Sequence, residues 1–183
     1  QSIQSIYSGP NKFQGIDIRS MGSGNAGGTN ALRSVGPLFA LGVIIIDISK
    51  GIISVLVLSK LEFLNTLLID IELSQILCGV SAVLGHVYPI YYNFKGGKGA
   101  GTLIGIIGVL FPQSILYALL SWISVLIFTG YVGLGTMIAS LVLVITTFFL
   151  YPGGLYTLFG CFTVLMAGFI IFTHRLNIAR MLN

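Results

Sequence analysis

The stretch VGPLFALGVIIIDISKGIISVLVL, residues 35–58, decides the fold. A helix rises 1.5 Å per residue, so the run extends to about 36 Å, enough to cross a hydrocarbon core of ~30 Å. A run this apolar suits lipid, where an α-helix satisfies its own backbone groups. Five further runs follow: Leu73–Tyr92, Ala100–Phe111, Ser114–Thr129, Tyr131–Leu150 and Leu155–Thr173. Ala100–Phe111 is the short one, about 18 Å as a helix. The expected fold class is therefore an all-α integral membrane bundle of about six transmembrane helices, in one domain over residues 1–183. Pro112 separates the third run from the fourth.

Composition agrees. The chain has 183 residues, 55% of them apolar and 8% charged, where a soluble domain carries about 25% charge. Mean hydropathy is +0.99. The net charge of +4 reads as topology, because basic residues gather in cytoplasmic loops. With six crossings, Lys12, Arg19, Arg33, Lys95, Lys98, Arg175 and Arg180 fall on one side. Lys60 falls on the other with Glu62, Asp70 and Glu72. One crossing across Pro112 would move Arg175 and Arg180 outside, so the charges favour the break. The stretch from Glu62 to Glu72 is the only plausible external excursion. No basic, aromatic-interleaved patch suited to nucleic acid is present. Cys78 and Cys161 sit in apolar runs and read as small hydrophobes. The chain does not begin with Met, and upstream residues are expected.

Five polar constellations interrupt the apolar pattern. Arg19 to Asn30 reads RSMGSGNAGGTN. Its glycines allow a nest of N–H groups for an anion, and Thr29 or Asn30 suits a helix cap. The same composition also suits close helix packing. Phe94 to Thr102 reads FKGGKGAGT. It resembles a P-loop in composition without the P-loop spacing, so a nucleoside triphosphate site is not expected. Lys95 and Lys98 around Gly96 and Gly97 suit phosphate, or anionic lipid heads. Asp47, Lys50, Gly51 and Ser54 share one helix face inside a span, where ionisable groups usually face a polar interior. An Asp47–Lys50 ion pair is the simpler reading. GHVYP (85–89) brings His86 close to the lysine loop, and HRLNI (174–178) ends the last run. His86 is a candidate general base or a structural histidine. No covalent-catalysis signature and no metal cluster is present, so no metal and no cofactor are expected.

In order, GSGNAGGTN (22–30), D-x-x-K-G (47–51), GHVYP, FKGGKG (94–99) and HRLNI resemble the motifs of the bacterial PlsY family of membrane glycerol-3-phosphate acyltransferases. Ser5–Gly9 is similar to that family's Ser-Ile-Pro segment. The resemblance implies seven helices, the first lying before this sequence, in the bacterial inner membrane with the motifs facing the cytoplasm. It implies transfer of an acyl group from acyl phosphate to the sn-1 hydroxyl of glycerol 3-phosphate, giving lysophosphatidic acid, with membrane lipids as the other partners. The expected catalytic residues are His86, Asp47 and Lys98. Those expected to bind substrate phosphate are Arg19, Ser23, Gly24, Asn25, Thr29, Asn30, Lys50, Lys95, Gly96, Gly97, His174 and Asn177. Three stretches depart from the family pattern. Gly28 replaces an alanine, and Ala100–Thr102 replaces Val-Ala-Thr. Gly130 to Gly133 lacks the arginine and serine of Arg-Tyr-Val-Ser, which implies altered substrate affinity. The alternatives are an inactive copy, or a non-enzymatic membrane protein that binds or transports anionic phospho-compounds.

Overall fold

A computed structural model describes residues 17–61 and 70–182. The Ser5–Gly9 segment, Lys12, Glu62 and most of the stretch up to Glu72 lie outside the described residues. All regular structure among the described residues is helical. A short helix α1 (Gly28–Ser34) leads into α2 (Pro37–Leu56). Then come α3 (Ile71–Val87), α4 (Ala100–Leu110), α5 (Gln113–Thr129), α6 (Val132–Leu150), α7 (Leu158–Thr173) and α8 (Arg175–Leu182).

Each boundary has a local cause. Pro37 opens α2 at the first turn, where its missing N–H costs nothing. Asp70 caps α3 by accepting the Glu72 N–H at 3.0 Å. The second run ends at Val87, short of Tyr92, because Pro89 disfavours helix in Tyr88. Phe111 and Pro112 separate α4 from α5. Thr157 starts α7 by accepting the Gly160 N–H at 2.9 Å. A 3-10 turn at Gly154–Tyr156 takes up what the apolar pattern assigned to that helix.

The stretches Pro37–Lys60, Ile71–Tyr92 and Val132–Leu150 are long and apolar enough to cross a bilayer. At 17 residues α5 extends to about 26 Å. At 11 residues α4 reaches only about 17 Å and is too short to span by itself. Helices α7 and α8 meet at a 52° bend. The chain runs back and forth, so that the start of α2, the end of α3, the start of α4, the end of α5, the start of α6 and the end of α7 gather at one end. Large apolar side chains such as Leu41, Ile45, Ile53, Leu120 and Phe149 are exposed on the outside, as lipid-facing residues are. The larger buried core joins Val55, Val83, Ile106, Phe159, Phe162 and Ile170, and a second, smaller one joins Ile18, Ala31, Val35 and Ala40.

Helices α2 and α4 meet backbone to backbone. A Cβ on Gly51 would collide with the Thr102 carbonyl, and one on Gly105 with the Ile48 carbonyl. A Cβ on Gly101 would stand 2.9 Å from the Asp47 Cβ. Lipid offers little hydrophobic drive for helix association, so this backbone approach replaces it. Most buried hydroxyls bond carbonyls of their own helices, whereas the buried Thr102 Oγ1 has no hydrogen-bond partner among the described residues. Ser54 and Thr163 bond the carbonyls of Gly51 and Gly160 at 2.7 and 2.8 Å.

Candidate active site

At the end where the helix termini gather lies an open cleft of about 730 Å³. The first glycine loop forms one wall. Its shape is set by Asn30, whose side chain accepts the Ser23 N–H at 2.9 Å and donates to the carbonyls of Ile18, Met21 and Asn25. Gly22 (φ +56°) leaves room for that amide, since a Cβ there would collide with Asn30 Oδ1. Asn30 is buried and its polar atoms are spent, so it builds the loop and has no donor left for a ligand. Neither Thr29 nor Asn30 caps the helix, because α1 starts at Gly28 with Gly27 in the cap position.

The lysine loop forms the opposite wall and is laced onto the end of α3. The N–H groups of Gly96 and Gly97, expected to face phosphate, donate instead to the carbonyls of Val87 and His86 at 3.2 and 3.1 Å. They complete the C-terminus of α3, whose last carbonyls would otherwise lack donors. Asn25 Nδ2 reaches the Gly96 carbonyl at 3.4 Å and links the two loops. Lys98 then projects into the cleft. Its ammonium donates to Asn177 Oδ1 of α8 at 2.6 Å, and its carbonyl accepts the Thr173 hydroxyl at 3.1 Å. Asn177 fits because position 133 is glycine; a Cβ there would collide with Asn177 Nδ2.

Ser23, Asn25, Thr29, Asn30, Asp47, His86, Lys98, His174 and Asn177 all line the cleft. The other expected residues do not. Arg19 is held by Asp17 through two contacts of 2.9 Å, and its guanidinium lies 4.3 Å over the Tyr92 ring. Gly24 turns the first loop, its N–H bonded to Met21. Lys95 is exposed on the outer side of its loop. Lys50 is half-exposed and pairs with Asp47 at 3.2 Å.

Two cations that motif reading left to topology also line the cleft: Arg33 and Arg180. Helical spacing carried the signal, since Arg33 follows Thr29 by four residues and Arg180 follows Asn177 by three. Gly130 and Gly133 line it too, so its positive charge comes from α1, the lysine loop and α8. Burial, with Arg180 and Arg33 adding repulsion, pulls the Lys98 ammonium down to about 8. Among the described residues Asp47 is the one carboxylate lining the cleft, and its Oδ1 already serves Lys50 and His86 Nδ1, each at 3.2 Å. Among the described residues no acidic partner pairs with Arg33, Lys98 or Arg180. His174 Nδ1 lies 2.8 Å from the Ile170 carbonyl, which can only accept. The proton is therefore on Nδ1, and Nε2 is the nitrogen left for a ligand. Below the polar rim, Ile44, Ile48, Ile104 and Trp122 continue the wall in apolar material.

Fold and site thus define an all-helical integral membrane protein with a cationic, phosphate-sized rim above an apolar wall. The family model for glycerol-3-phosphate acyltransferase matches residues 2–183. The chain is similar to glycerol-3-phosphate acyltransferases of Bartonella quintana (41% identical, 91% of this chain and 75% of the relative) and Halalkalibacterium halodurans (38%, 100% and 86%). It is also similar to that of Aquifex aeolicus (33%, 93% and 84%). Among solved structures it resembles PlsY (YgiH), an integral membrane glycerol 3-phosphate acyltransferase, in its glycerol 3-phosphate form. There the TM-score is 0.78 and the identity 32%, over 93% of this chain and 81% of that one. The lysophosphatidic acid form matches with a TM-score of 0.73 and 31% identity, over 87% and 77%. The chain belongs to the PlsY family of membrane glycerol-3-phosphate acyltransferases.

Proposed function

We propose that the chain moves a fatty acyl group from acyl phosphate to the sn-1 hydroxyl of glycerol 3-phosphate, at the cytoplasmic face of the bacterial inner membrane. The observation that carries this reading is the convergence of Lys98, Arg33 and Arg180 on a cleft whose one carboxylate among the described residues is already paired. Unpaired cations of this kind suit anionic substrates. Both substrates carry phosphate, and the apolar wall of Ile44, Ile48, Ile104 and Trp122 suits the acyl chain. The solved relative has glycerol 3-phosphate and lysophosphatidic acid forms, which supports the same acceptor and product here.

Acyl phosphate is a mixed anhydride, so no enzyme-bound acyl intermediate is needed. The sn-1 oxygen attacks the acyl carbon, and the bond from that carbon to the phosphate oxygen breaks. The hydroxyl proton leaves on the released phosphate, so the step needs no separate base. Lys98, steadied by Asn177, draws charge from the phosphate, and Arg33 and Arg180 hold the acceptor's phosphate. Ser23, Asn25 and Thr29 supply polar contacts from the first loop. His174 Nε2 accepts from a glycerol hydroxyl. Arg19, Gly24, Gly96 and Gly97 shape and tie down the two loops, Lys50 pairs with Asp47, and Lys95 attracts anionic lipid. Purified protein in proteoliposomes should form lysophosphatidic acid from acyl phosphate and glycerol 3-phosphate. Movement of labelled glycerol 3-phosphate into the lumen without product would instead make it a transporter.

The cytoplasmic orientation rests on seven basic residues against one across the loops. A cysteine placed at Ser34 should resist an impermeant thiol reagent in intact cells, whereas one at Glu62 should react. The reverse labelling pattern would invert the topology.

A further inference from the structure

We infer that the buried Asp47–His86 pair positions the lysine loop, and that His86 serves Lys98 by this route instead of exchanging protons with substrate. The inference rests on the proposed role of Lys98 as a phosphate ligand. Asp47 stands ten residues into α2 and His86 in the last turn of α3, yet Asp47 Oδ1 and His86 Nδ1 are 3.2 Å apart. Both side chains are nearly buried, His86 at 6% exposure and Asp47 at 10%. A carboxylate oxygen only accepts, so Nδ1 carries the proton and the ring is fixed in one orientation.

That orientation turns the other ring nitrogen toward the lysine loop. A Cβ on Gly97 would collide with His86 Nε2 and stand 2.6 Å from Cε1. The imidazole edge therefore lies directly against the Gly97 backbone. The same residue's carbonyl takes the Gly97 N–H, so His86 grips this glycine with both ring and main chain. Asp47 meanwhile abuts Gly101, two residues beyond Gly99, where the chain turns into α4 at φ +87°. The segment 97–101 thus rests on two interlocked side chains from two helices, with Lys98 at its centre. The loop has reason to need such support, because Asn93 and Phe94 just before it both take positive φ. Such a backbone persists in a bulky residue only where its surroundings hold it.

The test uses the full chain in nanodiscs with His86→Asn, His86→Ala, Lys98→Ala and the double variant His86→Ala/Lys98→Ala. Asn presents a donor where Nδ1 stood but cannot act as a base near neutral pH. Amide exchange over residues 94–101 should accelerate about tenfold or more in His86→Ala, because that loop loses its support. It should rise only severalfold in His86→Asn, which keeps a donor to Asp47 but lacks the ring edge against Gly97, and stay near wild type in Lys98→Ala. For acyl transfer, His86→Asn should keep kcat/KM within about threefold, while His86→Ala should lose about as much as Lys98→Ala. The double variant should lose little more than either single one, since the two act as one unit. Where His86→Ala does not fold, His86→Asn carries the test alone. His86→Asn whose exchange rises no more than severalfold yet whose kcat falls as far as that of His86→Ala would overturn the inference and make His86 a proton carrier. So would unchanged exchange in a folded His86→Ala. A wild-type protein with the expected exchange pattern but no acyl transfer would remove the proposed reaction and leave the positioning role standing.

Discussion

Gly105→Val will lower the melting temperature of the detergent-solubilised protein by on the order of 10 °C and cut the yield of folded protein sharply. The first added carbon already collides with the Ile48 carbonyl and stands 3.1 Å from the Ile52 nitrogen. Both obstacles are backbone, so no rotamer change makes room, and α2 must move away from α4. Overpacking costs ~1–3 kcal/mol even where side chains give way, and each kcal/mol is worth about 2–4 °C in a chain of this size. Moving α2 also separates Asp47 from Gly101 and from His86, so activity should fall with stability. Gly108 is the control, on the same short helix but with nothing within 4 Å of its added Cβ. Gly108→Ala should leave the melting temperature unchanged or slightly raised. Equal melting temperatures for Gly105→Val and Gly108→Ala would mean that α2 and α4 do not pack through their backbones.

Lys98→Ala will lower kcat/KM for glycerol 3-phosphate by about 100-fold or more, the usual cost of losing one preorganised donor to developing charge. Its melting temperature should remain near wild type, because the ammonium's described bond is to Asn177 alone. The wild-type pH profile gives a second check. A lysine held near 8 is charged below that pH and loses its charge above it. kcat/KM, which reports the free enzyme, should therefore fall as pH rises through about 8. Bound phosphate stabilises the ammonium, so kcat should fall at higher pH than kcat/KM. Lys98→Arg should move the alkaline fall out of range, because guanidinium stays charged. It should restore only part of the rate, because a longer planar group does not reproduce the 2.6 Å contact of a compact ammonium. A Lys98→Ala enzyme with wild-type constants for both substrates would reduce the lysine loop to a lipid anchor.

The helices were readable from sequence because lipid imposes a simple rule: an apolar run of sufficient length becomes a helix. The expected starts and ends of the runs around Pro112 fall within one residue of those found. Larger misses occurred where a local polar device overrode the apolar pattern. Pro89 ended α3 early, and the Thr157 cap delayed α7. Site reading was limited for a different reason. Composition shows that glycines and cations are available, but not which partner uses each group first. Arg19 is consumed by Asp17 two residues away, and the Gly96 and Gly97 N–H groups by the end of α3. The Asp47–His86 contact spans 39 positions of sequence (86 − 47) and joins two helices, so no local pattern predicts it. Arg33 and Arg180 were within reach of helical spacing, had it been extended one turn beyond the motifs.

The most direct test of the proposed reaction varies only the donor. A nucleotide-free acyl phosphate needs a phosphate cradle and an apolar wall, and both are present in the cleft. Acyl-CoA would need in addition a concave adenine pocket and contacts for a long pantetheine arm. The wild-type protein in nanodiscs, with saturating glycerol 3-phosphate, should be given matched concentrations of palmitoyl phosphate or palmitoyl-CoA, and lysophosphatidic acid measured. Product from palmitoyl phosphate with little or none from palmitoyl-CoA is the predicted result. Equal rates from the two donors, or turnover with palmitoyl-CoA alone, would contradict it.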